Sequence, residues 1–210
     1  MGAKQDNYRH LAETLIKKFA ARNIDAVYVD NRDEAREKVL SMMPKGSSVG
    51  VGGSVTLDEC GLIEALREEN YDFIDRYAVS TPEEQREVDA RNAVADFFLM
   101  STNAFTKEGE LVNIDGRGSR LAYFIYGPEK VIVVASMNKM ATDVSAAIDR
   151  VQNVASPPNC VRLSCKTPCA TTGVCGDCHG DTICCQIVIT RHSRVPGRLT
   201  VILVGEELGF

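Results

Sequence analysis

The sequence predicts an α/β fold, an open and mostly parallel sheet covered by helices on both faces, with a cysteine-rich insertion near the carboxyl end. Apolar stretches of strand length alternate with amphipathic stretches of helical period along the chain, as a sheet of this kind requires. Residues 131–135 are five consecutive apolar residues after Gly127-Pro128, the composition of a central parallel strand buried on both faces. Seven of the eight cysteines lie between 160 and 185, in a Thr-, Gly- and Pro-rich stretch that follows neither period. With 210 residues the chain can bury a full core, and it reads as one domain spanning 1–210.

The elements follow in order. Leu11, Leu15, Ile16 and Phe19 recur at helical spacing, which predicts a helix over 7–22, and the strand 24–29 runs from it to Asp30-Asn31. A helix over 33–42 is stopped by Pro44 and Gly46. The short strand 48–51 runs into Gly52-Gly53, and Ser54 to Leu57 opens the next helix. A third α/β unit covers 63–75. Thr81-Pro82-Glu83-Glu84 starts a helix that reaches about Val94, with proline at the first helical position and acids in the first turn. Strand 97–100, a turn at 107–110 and strand 111–114 come next, the two strands expected to pair. Strand 131–135 is backed by a helix over 142–154. Pro157, Pro158 and Asn159 break that helix and begin the cysteine segment, and strands 187–190 and 199–204 flank the Pro196-Gly197 turn and close the fold.

Composition narrows the function classes. The net charge is −5 and the pI about 5.3, and no Lys/Arg stripe is interleaved with aromatics, which argues against nucleic acid as a partner. The first residues are polar, no stretch approaches the ~18 apolar residues of a membrane span, and the expected location is cytoplasmic. In that reducing compartment thiols serve as ligands or redox groups rather than as structural disulfides.

The thiol run from Cys165 is spaced Cys-x3-Cys-x5-Cys-x2-Cys-x5-Cys-Cys. Four thiolates supply a tetrahedral zinc site or the corners of a 4Fe–4S cluster, so the first expectation is an iron–sulfur cluster and the second zinc. Cys169, Cys175, Cys178 and Cys184 are the expected ligands, because equal five-residue spacers bracket the Cys175/Cys178 knuckle. Cys165 and Cys185 are reserves, and His179 is expected to face solvent. Gly173 and Gly176 are expected to supply N–H donors to the sulfurs.

A second constellation belongs to a small anionic molecule. Gly52, Gly53, Ser54 and Thr56 follow a strand just where a helix begins, a place where backbone approaches a ligand closely and first-turn N–H groups attract anions. The plain alternative is a tight turn capped by Ser54 or Thr56. Asn103, Asn113 and Asp115 also lie at strand ends, and Lys139 follows strand 131–135; in open α/β sheets ligands collect at the carboxyl ends of strands. No histidine pattern suggests a hydrolytic triad, and no catalytic residue is assigned.

These motifs together resemble the LUD-domain, or lactate-utilisation, family. The likeness is carried by Gly52-Gly53-Ser54-Val55-Thr56-Leu57, Asn103-Ala104-Phe105-Thr106 through Gly109, Leu111 to Gly116, Arg120 and the stretch from Val131 to Lys139. Thr167-Pro168-Cys169, Thr172-Gly173, Cys175, Asp177-Cys178 and Ile183-Cys184 resemble the subgroup with a cysteine-bearing extension. The resemblance implies a three-layer α/β fold like that of ribose-5-phosphate isomerase and the CoA transferases, with the glycine-rich turn facing a ligand cleft. It also implies a role beside iron–sulfur partner proteins in oxidation of L-lactate, in electron transfer or assembly. Two other readings stand next to it: an isomerase- or transferase-type enzyme acting on a small phosphorylated or carboxylated compound, with Asp115 as acid/base and Lys139 pairing the anion, and a non-enzymatic scaffold stapled by zinc. Self-association into a homo-oligomer is also an expectation, with no surface assigned.

Overall fold

The structure is a computed structural model that describes residues 2–210. Six parallel strands form the central sheet: β1 (Asp25–Val29), β2 (Ser48–Val51), β3 (Asp72–Ile74), β4 (Phe97–Met100), β7 (Lys130–Ser136) and β10 (Leu199–Val204). Their order is β1-β10-β7-β4-β2-β3, with Leu199 opposite Val131 and Phe98 opposite Val131 in the two central registers. A smaller sheet of order β8-β5-β6-β9 is made by β5 (Ala104–Thr106), β6 (Leu111–Asp115), β8 (Met140–Ala141) and β9 (Gln186–Thr190).

The pleat of β7 explains the layers. Val131, Val133 and Ala135 face a core shared with α1 (Ala3–Ala20) and α6 (Ser119–Ile125). Ile132 and Val134 face the opposite core, shared with α2 (Arg32–Ser41), α3 (Val55–Glu59) and α4 (Leu62–Glu68). Alternate side chains of one strand therefore enter two separate cores, as the apolar run at 131–135 predicts. The expected three-layer, mostly parallel α/β architecture is what the chain adopts.

The helix termini follow local chemistry. Asn31 caps α2 by accepting from the Glu34 amide at 2.9 Å. α5 (Pro82–Asn92) begins with a capping box in which Thr81 and Glu84 bond each other's backbone amides.

Several expectations change. β6 does not pair with β4; it pairs antiparallel with β5, a strand the sequence reading passed over, because the chain leaves the central sheet after Met100 and builds the second sheet. The two strands flanking the Pro196-Gly197 turn, β9 and β10, belong to different sheets, and β10 lies inside the central sheet between β1 and β7. The helix α7 (Val144–Arg150) is not broken at Pro157: it passes through a π-helical stretch, Val151–Ala155, into α8 (Ser156–Arg162), where the Ser156 amide bonds the Val151 carbonyl five residues back. Pro157 and Pro158 then fall in the first turn of α8, directly after the wider π-helical turn, which carries the helix past the two rings. The short α9 (Pro168–Thr172) lies within the cysteine segment. No helix among the described residues is long and apolar enough to cross a membrane.

Candidate functional site

The order β7-β4-β2 sets the carboxyl ends of three neighbouring strands side by side. The segments leaving them carry Lys139, Ser101 to Asn103, and Gly52 to Thr56. They floor a cleft of about 340 Å³ whose walls come from the end of β6, the start of α8 and the Gly209-Phe210 segment. Gly53, Ser54, Thr56, Asn103, Asp115 and Lys139 line this cleft, six of the eight residues named for an anionic ligand. Gly52 and Asn113 stand behind it.

Lys139 is 4% exposed. Its Nζ donates to Thr56 Oγ1 at 2.8 Å and Ser101 Oγ at 3.0 Å, and no carboxylate among the described residues pairs with it. Burial, reinforced by the positive charges of Arg150 and Arg120, brings its pKa down from 10.5 to about 7. Gly209 packs directly on this amine: a Cβ there meets Thr56 Oγ1 at 2.5 Å and Lys139 Nζ at 3.0 Å, and φ is +61°, so only glycine fits without strain.

Arg120, on the first turn of α6, ties the wall together. Its guanidinium donates to the Ser101 carbonyl at 3.1 Å, Asn103 Oδ1 at 2.8 Å, Asn113 Oδ1 at 3.4 Å and the Ile114 carbonyl at 2.9 Å, and lies 3.5 Å from Asp115 Oδ2. Gly52 is glycine for the same reason, since a Cβ there stands 2.9 Å from Arg120 Cγ. Asn103 and Asn113 are thus bound to the protein, and their part is to orient the arginine. The other cations of the cleft are Arg76, Arg117 and Arg162; Arg162 bonds Asn159 Oδ1, whereas Arg76 and Arg117 make no hydrogen bond or ion pair among the described residues. On a chain of net charge −5 the cleft is a local positive field.

Ser54 caps α3 by accepting from the Leu57 amide at 3.3 Å, the plainer of the two expectations for the glycine turn. α3 has only five residues, so the pull on an anion comes from side-chain cations more than from helix amides.

The thiol segment shares a wall with the cleft. The Cys184 thiol donates to Ser156 Oγ at 3.4 Å, the Cys185 amide donates to the Asp115 carbonyl at 3.0 Å, and Ser156, Asp115 and Ile183 all line the cleft. Burial raises the Cys184 pKa against the opposing pull of its Ser156 hydrogen bond, and the thiols of Cys169, Cys175 and Cys178 push it up further. They are not drawn to ligating separation: no group of three or more His, Cys, Asp or Glu among the described residues is close enough to hold a metal ion. An all-thiol donor set matches the chemistry of zinc and of iron–sulfur clusters. Cys160 is a buried free thiol, and Cys169, also buried and free, contacts Thr167 Oγ1 at 3.3 Å. The Gly173 amide caps α9 by donating to the Cys169 carbonyl and not to a sulfur. His179 is 89% exposed, as expected.

A family model, the LUD domain, matches residues 12–204 of the chain. The protein belongs to the LUD-domain family. Among solved structures, this LUD-domain protein is similar to a DUF162 family protein from Deinococcus radiodurans, at 14% identity over 94% of this chain and 98% of the other with a TM-score of 0.55, a likeness of fold. Ribose 5 phosphate isomerase A from Neisseria gonorrhoeae aligns over 54% of each chain at 16% identity with a TM-score of 0.35, too slight to build on. No curated protein matches the sequence.

The sequence reading missed Arg120 as a site residue, and with it the rim arginines and Gly209. Arg120 had a readable signal, being the first cation after the β6 strand end and the Gly116–Gly118 turn. Gly209 had none, because only the return of the chain after β10 brings it to Lys139.

Proposed function

We propose that this LUD-domain protein binds a small organic carboxylate or phosphate in the cationic cleft and holds an iron–sulfur cluster on Cys169, Cys175, Cys178 and Cys184 beside it, serving electron transfer or assembly in a lactate-oxidising system. The observation that carries this reading is the shared wall: Ser156 touches both the Cys184 thiol and the cleft, so a bound anion and the thiol segment lie on opposite sides of one helix start. A cluster held there supplies one-electron redox chemistry. The chain's own residues do the rest. Arg117 and its rim neighbours attract the anion, the Arg120 network keeps Asp115 and Asn103 in place, and the walls of α8 and Gly209-Phe210 limit access of water to Lys139. Iron–sulfur partner proteins are the natural acceptors or donors of electrons, since a single cluster moves charge only to a neighbouring centre. Anaerobic iron and sulfide reconstitution tests the thiol assignment; about four irons per chain with broad visible absorption supports it. Stabilisation by L-lactate, oxalate or phosphate in thermal unfolding tests the cleft.

The second reading, an isomerase- or transferase-type enzyme, is favoured by one specific observation, the Lys139 amine whose pKa falls to about 7 inside the cleft. Proton exchange from a small carbonyl acid in deuterated water, lost in Lys139→Met, is the result that selects it.

A further inference from the structure

Lys139 is placed differently from a lysine that only ties strands together. A buried structural lysine is ordinarily paired with a carboxylate. Here the two partners are hydroxyls, Thr56 and Ser101, the second of which directs its own proton to the Thr102 carbonyl at 3.3 Å and so accepts from the amine. The positive charges of Arg150 and Arg120 act against its protonation and the negative charge of Glu59 favours it, while the Cys60 thiol, its pKa pushed up to about 12 by burial, is neutral; Glu59 is already engaged with the Gly209 amide at 2.7 Å. Arg150 is held by three carbonyls, those of Asn103, Asn138 and Phe210, and cannot turn away. An amine in a desolvated pocket next to fixed cations has its lone pair available, and this one lines a cleft large enough for a small molecule.

We infer that Lys139 is a catalytic amine that condenses with the carbonyl carbon of a small 2-oxo acid, whose carboxylate is taken by the arginines at the mouth of the same cleft. The inference rests on the reading of the cleft as a site for a small organic anion and names its substrate class. The step balances without any oxidant. The Nζ lone pair forms a bond to the carbonyl carbon, the carbonyl π pair moves to oxygen, and that oxygen takes a proton. The resulting hydroxyl then leaves as water while nitrogen forms the second bond to carbon, so amine and ketone give imine and water. Thr56 and Ser101 stand within hydrogen-bond distance of the nitrogen and are able to pass protons during the dehydration. The adduct draws electrons from the neighbouring carbon, so the reaction class it serves is proton exchange or bond cleavage next to the former carbonyl.

The test uses pyruvate as the probe and the full chain as it exists, with sodium borohydride to reduce any imine to a stable amine, followed by peptide mass mapping. A reduced pyruvyl group on Lys139, formed at pH 7 roughly a hundredfold or more faster than on the exposed lysines, is the expected result, because an amine of pKa near 7 is far less protonated there than an ordinary lysine. Lys139→Arg retains hydrogen-bond donors for Thr56 and Ser101 but has no amine to condense, and it abolishes the adduct; mapping on the unaltered protein keeps the test decisive even if that variant folds poorly. Pyruvate binding seen by ligand NMR without an adduct on Lys139 overturns the inference and leaves the anion site standing. Labelling spread over surface lysines alone overturns it as well. Absence of binding by pyruvate, L-lactate, oxalate and phosphate overturns both this inference and the cleft reading beneath it.

Discussion

Removing the Arg120 side chain tests whether the wall of the cleft is held as described. Arg120→Ala deletes hydrogen bonds to Ser101, Asn103, Asn113 and Ile114 and leaves Asp115 without its cation. The arginine and aspartate side chains are 13% and 15% exposed, so water does not readily replace what is lost. Breaking a buried pair from one side and orphaning its hydrogen-bond acceptors costs about 3–5 kcal/mol. In urea unfolding followed by circular dichroism, that loss moves the midpoint down by about 1–2 M. Arg120→Lys keeps a charge near Asp115 but cannot span the same acceptors with one ammonium, and it recovers only part of the loss. A change smaller than about 1 kcal/mol in Arg120→Ala refutes the argument that this residue organises the wall.

Three further outcomes are expected. Lys139 has a folded pKa of about 7 against an ordinary 10.5, so between those values the unfolded chain holds a proton that the folded chain does not, and stability rises with pH across that window at up to about 1.4 kcal/mol per unit; in Lys139→Met this component of the slope disappears, and equal slopes in denaturant titrations from pH 7.5 to 9.5 show the amine to be charged in the fold. Gly52→Ala sets a Cβ 2.9 Å from Arg120 Cγ and destabilises by about 1–3 kcal/mol, whereas Gly53→Ala meets nothing nearer than the Tyr77 hydroxyl at 4.0 Å and is close to neutral in the same assay. Gly209→Ala forces a left-handed residue against Thr56 and Lys139 and weakens stabilisation by phosphate or oxalate in thermal unfolding; unchanged stabilisation removes the Gly209 segment from the site.

Much of the central sheet was legible because its strands are apolar on both faces. The runs 48–51, 97–100, 131–135 and 199–204 are too short and too apolar to read as amphipathic helices, and all four became strands of one sheet. The second sheet was not legible in the same way: β5 and β8 are three and two residues long, shorter than any period can show, and β9 exposes Ile187 and Ile189. The proline pair at 157–158 reads locally as a helix stop, and the π-helical stretch that absorbs it is a tertiary solution with no local code. At the site, the rule that ligands gather at strand carboxyl ends singled out Lys139, Asn103 and Asp115, and the three line one cleft. It could not distinguish residues that face the cleft from those that hold Arg120. Asn113 was named as a ligand contact and is fully buried behind the wall, and Gly52 is buried there too, a glycine set by the arginine stem beside it.

The central claim joins an anion cleft to a thiol-held redox centre across Ser156, and one experiment addresses it directly. The protein is reconstituted anaerobically with iron and sulfide, its iron and zinc are counted, and its visible absorption is recorded with and without L-lactate or pyruvate, alongside Cys184→Ser. The account predicts about four irons per chain, a broad absorption that shifts when the anion binds, and loss of iron in the variant. Stoichiometric zinc, or a folded chain that takes up no metal and whose spectrum ignores the anion, contradicts it.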